Sequence, residues 1–405
     1  MDATASLPRS DTKVIGLIST AHFLSHVYML VLPPLFPLLK DVYGVSFAAL
    51  GLALTVFNVA TGLTQAPMGF LVDRFGARAI LIAGLIVEAI AIAAIGIFPS
   101  YWALIALMAV AGLANSVYHP ADYTILSASV GQRRMGRAFS IHTFAGYFGF
   151  AVAPLTMVFL LDIVGWQMAL VIVGAAGLAV ALVLAAFASV LREDAPDAAA
   201  KPAPTAAAGP QGMKLLLSLP IVMGFLFFVG IAMTNGGFTS FGVSALVSIY
   251  DVAIVDASAP LTSYLFASAA GVLAGGWLAD RTERHSLVAA GCFILVGLLV
   301  ACVAAFDLTL MAVTVLFGLA GFFSGMVAPS RDMMIRSVTP AGSTGKVFGF
   351  VSTGFNLGGA ITPLAFGLLL DRADPNMLFW AISALSIVTI LTVLSAGSIG
   401  RRKAV

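Results

Sequence analysis

Several ionisable side chains lie inside long apolar stretches of this chain, where a charge needs a partner or a function. His22 and His26 are four residues apart and would share one face of a helix. His119, Asp122 and His142 follow in two later stretches. Because an imidazole titrates near physiological pH, this set suits a proton relay or a pH-gated anion site. The alternative is structural, with neutral histidines that hydrogen-bond to backbone or hydroxyl groups.

Neither a metal ion nor a cofactor is expected. His22 and His26 have the spacing of a helical metal-binding pair, but no acidic residue of that helix accompanies them. Cys292 and Cys302 fall within one apolar stretch, so neither a disulfide nor a thiolate site is indicated. No glycine-rich turn ends in Lys-Ser or Lys-Thr, as a nucleotide-phosphate loop would. No nucleophile or paired-carboxylate site suggests an enzyme.

The composition shows where these side chains must sit. The 405 residues are 60% hydrophobic and only 9% charged, and the mean hydropathy is +1.06, far outside the range of soluble domains. A spanning helix needs roughly 20 apolar residues, and we identify twelve candidate spans. They cover residues 14–39, 47–72, 79–98, 101–128, 137–161, 166–190, 215–250, 257–279, 286–306, 308–334, 347–370 and 376–396. The predicted fold class is an all-α integral membrane protein.

The two halves of the chain repeat each other. Residues 136–162 and 345–371, offset by 209 residues, are identical at nine of 27 positions. A second pair of near-copies, residues 69–78 and 276–284, lies 207 residues apart. Parallel duplication in so apolar a chain is typical of alternating-access carriers built from two six-helix bundles. Glycines and prolines of the fifth and eleventh spans are predicted to serve packing and bending between the bundles: Gly146, Gly149, Pro154, Gly354, Gly358 and Pro363.

The repeat also relates Asp122 to Arg331, which lie 209 residues apart. Facing each other across a pseudo-two-fold axis, they could form an inner gate. Asp122 could instead be the proton site, and Arg331 could hold an anionic group of a substrate or pair with Asp332. Glu88, in the third span, is expected to be protonated or hydrogen-bonded inside the first bundle, with direct coupling as the alternative.

Helix-breaking residues interrupt the first span of each half: Pro33, Pro34 and Pro37 in one, and Asn235, Gly236 and Gly237 in the other. Backbone groups freed at such breaks are tolerated only where they face protein or water. Asn235, followed by Phe238 and Phe241, is therefore a candidate for the polar and aromatic wall of a cavity.

Lysine and arginine set the predicted topology. With the N-terminus inside, nearly all of them fall on the cytoplasmic side, and only Lys40 and Arg372 face out. Both termini are thus predicted to be cytoplasmic, in a multi-pass protein of the bacterial inner membrane. Residues 1–13 are polar and no cleavage site follows the first span, so no signal peptide is expected.

The predicted domains are residues 1–190 and 214–405, joined by a flexible, Ala/Pro-rich linker at 191–213. Since the net charge of +2 comes from membrane anchors, no nucleic-acid partner is predicted. The expected partners are protons, membrane lipid and a small-molecule substrate, and the expected state is a monomer.

The second span ends in the sequence GFLVDRFGAR, from Gly69 to Arg78. Gly69 is predicted to permit close helix packing and Gly76 a tight turn. Asp73 leaves the membrane where it can meet the positive end of a helix. This segment resembles the loop 2–3 signature of the major facilitator superfamily, and GWLADRTER at 276–284 resembles its loop 8–9 counterpart, although Thr282 and Glu283 replace Phe-Gly. The resemblance implies a cytoplasmic latch between the bundles, formed by Gly69, Asp73, Arg74, Arg78, Gly276, Asp280 and Arg281.

A narrower resemblance rests on AHFLSHVYMLVLPPLFPLL in the first span, YHPADYTIL in the fourth and PSRDMMIRSVTPAGSTGKVFGFVSTGFN in the tenth and eleventh. These segments are similar to the fosmidomycin-resistance-type branch, whose members are thought of as proton-driven exporters. Two departures affect the coupling chemistry. Ser25 and His26 stand where that branch typically has Asn-Asp, and the usual acid after His119-Pro120 is Ala121, with Asp122 next.

These observations predict a secondary active transporter that exports a small organic solute by proton antiport. One alternative is uptake of a small organic anion by proton symport, with Arg331 and the histidines as anion ligands. Another is a carrier-derived sensor that binds ligand without turnover.

Overall fold

In the computed structural model, which describes residues 9–131, 134–192, 214–339 and 344–402, the chain is a bundle of helices. The helices are α1 (Arg9–Met29), α2 (Phe36–Tyr43), α3 (Phe47–Phe75), α4 (Ala77–Ile97), α5 (Tyr101–Asn115), α6 (Tyr118–Ser129), α7 (Met135–Ala186), α8 (Leu219–Tyr250), α9 (Ile254–Ala279), α10 (His285–Ala305), α11 (Leu310–Val338), α12 (Thr344–Arg372) and α13 (Asn376–Arg402). Most of the predicted linker, residues 193–213, lies outside the described residues.

Eleven helical segments within the described residues are long and apolar enough to cross a membrane. One of them, α7, has 52 residues and contains Gly165, whose φ of 77° and ψ of 163° are not helical. Glycine adopts a positive φ without a steric penalty, so the chain turns here between the fifth and sixth predicted spans. The all-helical membrane fold is confirmed, and the turn at Gly165 brings the count to the twelve predicted spans.

Prolines divide two spans of the first half. The first span is interrupted by a 3-10 turn at Pro33–Leu35 between α1 and α2, as predicted, because proline has no N–H and clashes with the preceding turn. Pro120 likewise cannot donate to the carbonyl of Ser116, and the fourth span is divided into α5 and α6. This division places His119 and Asp122 in the first turns of α6.

The predicted loosening of the seventh span is wrong, since α8 runs unbroken from Leu219 to Tyr250. The glycines at its middle serve packing instead. A Cβ on Gly236 would lie 2.9 Å from the Thr362 methyl carbon, and one on Gly237 would lie 2.6 Å from Ile382. Their missing side chains let α12 and α13 approach α8.

Contacts among the described residues form two units, and α3 is divided between them. The first contains α1 and the residues from 59 to 192, and the second contains residues 32–58 with those from 214 onward. In the first, Gly149 of α7 lies against the carbonyl of Phe23 on α1. In the second, a Cβ on Gly358 of α12 would lie 2.6 Å from Ala232 on α8. These two glycines therefore pack helices within a unit, whereas the sequence predicted packing between bundles.

Within the second unit, the end of α12 is hydrogen-bonded to the start of α3. Both carboxylate oxygens of Asp371 accept hydrogen bonds, from the N–H groups of Phe47 and Ala48, at 2.8 Å each. The Thr55 hydroxyl donates to the Ala360 carbonyl at 2.7 Å. A carboxylate at a helix N-terminus satisfies orphan N–H groups and opposes the positive end of the helix dipole.

We expect Asp371→Asn to lower the stability of the purified protein by about 1 kcal/mol, because an amide offers one acceptor oxygen and no charge. The matched control is Asp162→Asn, at the duplicate position 209 residues earlier, where the side chain is exposed. A thermal melt in detergent should show a lower midpoint for Asp371→Asn only. Equal midpoints for the two variants would contradict this role of Asp371.

Candidate functional site

The first unit brings together ionisable side chains from three helices. His22 and His26 come from α1, His119 and Asp122 from α6, and His142 from α7. Asp122 is fully buried, and the exposed fraction is 3% for His22 and 1% for His142. A carboxylate in so apolar a setting must be compensated by hydrogen bonds or charge.

That compensation comes from two imidazoles on one carboxylate oxygen. The Nε2 atom of His142 lies 2.9 Å from Oδ2 of Asp122, a direct hydrogen bond. The Nδ1 atom of His22 lies 3.4 Å from the same oxygen. The rings of His22 and His142 stack with their centroids 3.7 Å apart. Asp122 and the two rings form one compact group, which we call the Asp122 cluster.

The other two histidines border this cluster. The ring centroid of His26 lies 4.5 Å from that of His22, and the centroid of His119 lies 5.3 Å from it. His26 is half-buried and His119 is exposed. The predicted convergence of four histidines is confirmed, and they form a graded path from an exposed ring to the buried carboxylate.

A glycine of α7 makes room for the rings. A Cβ on Gly146 would lie 2.9 Å from Nε2 of His22 and 2.9 Å from Cε1 of His26, which is closer than side chains normally approach. Any larger residue at position 146 would displace one of these imidazoles. Gly146 therefore shapes the histidine group within the first unit, in place of the predicted role between bundles.

His22, Asp122 and His142 are also the described residues that could hold a metal ion, since their ligand atoms all lie within 4.8 Å of one another. Two ligands of one tetrahedral zinc ion are separated by about 3.3 Å, given Zn–N and Zn–O distances near 2.05 Å. The 2.9 Å between His142 and Asp122 is shorter than that and matches a shared proton. The geometry therefore favours a proton between these two side chains.

Glu88 lies near the middle of α4 and is not part of the Asp122 cluster. It is fully buried, and its Oε1 atom accepts a hydrogen bond from Nδ2 of Asn115 at 3.0 Å. The expectation of a hydrogen-bonded carboxyl group inside the first bundle is confirmed, while a role in coupling stays a prediction.

Arg331 belongs to the second unit and has local partners. Its Nε donates to Oδ1 of Asp332 at 2.8 Å. Its guanidinium carbon lies 4.8 Å from the ring centroid of Phe228 and 5.1 Å from that of Phe355. The pairing with Asp332 was one of the sequence-based alternatives, and a gate between Arg331 and Asp122 stays a prediction.

Asn235 lies in a polar trio that sequence reasoning missed. The hydroxyl groups of Tyr264 and Ser324 both donate to its Oδ1 atom, at 2.7 and 2.8 Å. Phe238 stacks on Tyr264 with the centroids 4.3 Å apart, and both Phe238 and Phe241 are fully buried. These two aromatic rings are core residues, and their prediction as cavity wall is wrong.

The two loop motifs lie at the ends of α3 and α9. Gly76 has a φ of +90°, which confirms the predicted tight turn. Arg78 donates from Nη1 to the Ala188 carbonyl at 2.8 Å, while Asp73 and Arg74 are exposed. A Cβ on Gly69 would meet no atom within 4 Å, so the predicted close packing is wrong: this face of α3 is open.

The second copy of the motif is exposed as well. A Cβ on Gly276 would also meet open space, and Asp280 is exposed just after α9. Arg281 folds back, with its guanidinium carbon 4.1 Å from the Trp277 ring centroid and Nη1 donating to the Trp277 carbonyl. The latch role of both motifs stays a prediction.

Comparison with known proteins decides the family. The sequence model of the Major Facilitator Superfamily matches residues 18–255 and 231–403. The chain belongs to the Major Facilitator Superfamily. It is thus a multi-pass membrane transporter of small molecules and not an enzyme. In such a transporter, a buried carboxylate with two imidazoles is a candidate for the coupling site.

The relatives within the superfamily have names that describe different transport functions. The Fosmidomycin resistance protein of Escherichia coli (strain K12) is 24% identical over 401 residues, covering 96% of this chain and 94% of that protein. The probable nitrate/nitrite transporter NarK2 of Mycobacterium tuberculosis is 28% identical over 76% of each chain. The multi-drug resistance efflux pump PmrA of Streptococcus pneumoniae is 22% identical over 89% of this chain and 90% of that one. The resemblance to the fosmidomycin-resistance type is confirmed.

A solved structure supports the superfamily fold. A bacterial homolog to the human lysosomal transporter Spinster, in an inward-facing and occupied conformation, matches with a TM-score of 0.76 over 98% of each chain at 14% sequence identity. At that identity the likeness concerns the fold alone.

The burial gradient predicts how the histidines react with diethyl pyrocarbonate. We expect exposed His119 to be modified first, and buried His22 and His142 to react roughly tenfold more slowly, since they must wait for local opening. Peptide mass spectrometry over a time course measures this directly, and His285, half-exposed at the start of α10, serves as the internal reference. Equal rates for His119 and His142 would contradict the arrangement.

Proposed function

We propose that this chain is a secondary active transporter that exports a small organic solute across the bacterial inner membrane by alternating access, in exchange for protons. The observation that carries the proposal is the Asp122 cluster. It is a buried carboxylate that shares one oxygen with His142 and His22, inside helices that cross the membrane.

The charge on the cluster explains why a proton would be bound there. With both imidazoles neutral the cluster has a net charge of −1, and one added proton makes it neutral. An uncompensated charge at the centre of a membrane costs about 2.5–3.5 kcal/mol or more. If the cluster is more exposed to water in one conformation than in the other, binding or release of the proton changes the free-energy difference between the two conformations. Proton coupling requires such a change.

The neighbouring histidines supply a route for the proton. His119 is exposed, and its ring lies 5.3 Å from that of His22, which stacks on His142. Imidazole can accept a proton on one nitrogen and donate from the other. We therefore assign proton entry to His119, with His22 between it and the carboxylate and His26 beside His22.

Export is supported by two relatives, which are a resistance protein and a multidrug efflux pump. The second candidate is uptake of a small organic anion by proton symport. It is favoured by the cationic Arg331 and by the relative described as a nitrate/nitrite transporter. We further propose a monomer with both termini cytoplasmic, in contact with lipid, and a cytoplasmic latch formed by the two loop motifs.

The test is flux driven by a pH gradient in proteoliposomes, screened over organic acids, amphipathic cations and phosphonate antibiotics such as fosmidomycin. We expect one solute class to move against its gradient, coupled to protons. Asp122→Asn should reduce this accumulation to the level of empty liposomes and leave exchange without a gradient intact, because the amide cannot take up the proton.

The control is Asp162→Asn, which makes the same chemical change at an exposed position and should behave as wild type. Opposite movement of proton and solute establishes antiport, and movement in the same direction establishes symport and overturns export. Accumulation that persists in Asp122→Asn removes the carboxylate from coupling. Flux that stops when EDTA is added shows that a metal ion occupies the cluster in place of a proton.

A further inference from the structure

The polar trio of the second unit is formed by the Asn235 amide oxygen and two hydroxyl groups. Its Oδ1 atom accepts hydrogen bonds from both Tyr264 and Ser324, and the two hydroxyl groups also lie 3.2 Å from each other. The amide oxygen therefore faces the trio and the NH2 group faces away from it.

The NH2 group of Asn235 is left as a pair of donors. Asn235 is half-buried, and we find no hydrogen bond from its Nδ2 atom to the described residues. Tyr264 and Ser324 are only 2% and 9% exposed, so their role is to hold the amide. Their arrangement resembles the shell of fixed hydrogen bonds that orients a binding group in a prepared site.

Arg331 lies about two turns from the polar trio along α11. We call the line from Asn235 to Arg331 the strip. Ser324 and Arg331 are seven residues apart on α11, as are Phe228 and Asn235 on α8, and seven residues make nearly two full turns. Arg331 is at the level of Phe228, since its guanidinium carbon lies 4.8 Å from that ring. The Asn235 amide and the Arg331 guanidinium thus lie along one line, about 10 Å apart along the helix axes.

We propose that this strip binds an organic anion that carries a second hydrogen-bond acceptor group. The anionic group binds the guanidinium of Arg331, and a carbonyl or similar oxygen accepts from the NH2 group of Asn235. Tyr264 and Ser324 are positioning residues that keep the donors turned outward. The inference rests on the proposed function, because it names the substrate class of that transporter, and it holds for export and for uptake.

The selectivity follows from the chemistry of the two groups. A guanidinium ion binds carboxylate or phosphonate through paired N–H donors. A site whose polar groups hydrogen-bond to the substrate binds an analogue without the matching donor or acceptor more weakly. The polar groups of the site then lose their water and gain no hydrogen bond in return. Solutes with only the charge, or only the acceptor, should therefore bind more weakly than solutes with both.

Three probes of matched length test this inference: 6-oxoheptanoate has both groups, heptanoate has only the charge, and 2-heptanone has only the acceptor. Their affinities for the purified protein are measured by the rise of the thermal midpoint with probe concentration, because a ligand stabilises the state that it binds. We expect heptanoate to bind about fivefold more weakly than 6-oxoheptanoate, the effect of one hydrogen bond of about 1 kcal/mol, and 2-heptanone to bind weakest.

The variants separate the parts of the strip. Asn235→Asp should abolish the preference for 6-oxoheptanoate over heptanoate, and Tyr264→Phe should reduce it while heptanoate binding stays unchanged. Arg331→Gln should weaken both anions. The control Asn376→Asp, the same change at the first residue of α13, should leave the preference intact.

Equal affinity of the wild type for 6-oxoheptanoate and heptanoate overturns the proposal, and so does the absence of binding by all three probes. An unchanged preference in Tyr264→Phe overturns the positioning role, even where Asn235→Asp fails to fold. Because binding is measured without a pH gradient, a failure of proton coupling leaves these outcomes unaffected. Proton-driven flux together with no preference among the probes would refute the strip as a binding site. The proposed function would still hold.

Discussion

The carboxylate of Asp122 imposes the strongest physical constraint on the first unit. A negative charge that has no access to water must be compensated within the protein. This one accepts a hydrogen bond from His142 on α7 and lies 3.4 Å from Nδ1 of His22 on α1. The positions of α1, α6 and α7 relative to one another are therefore tied to a single oxygen atom. Displacement of α6 or α7 would break the hydrogen bond between Asp122 and His142, and displacement of α1 would remove the second imidazole.

Small residues make that arrangement possible. Gly146 gives space to two imidazole rings, and Gly149 lets α7 lie against the backbone of α1. Pro120 divides the fourth span so that α6 begins close to His119 and Asp122. The ionisable residues supply the chemistry, while the glycines and the proline set how closely the helices that carry them can approach.

Sequence alone predicted much of the fold and part of the site. The spans follow from apolar run length and the duplication from the constant offset, and helical periodicity with the family fold predicted the convergence of the histidines. The Asp122–His142 hydrogen bond was not predicted, because it depends on side-chain conformations of residues on separate helices. Tyr264 and Ser324 were missed because neutral hydroxyl groups give no charge signal in an apolar stretch. The open face at Gly69 depends on which helices lie nearby, and a local motif does not specify that.

The stacking of His22 on His142 sets a limit on stoichiometry. Two positive charges 3.7 Å apart repel by about 4–5 kcal/mol at an effective dielectric constant near 20. The two rings therefore accept a single positive charge between them, and Asp122 balances it. In the proposed exchange, a cycle that loads and unloads this pair carries one proton. For the charge of that proton alone, the membrane potential contributes about 2.3 kcal/mol per 100 mV if it crosses the whole membrane.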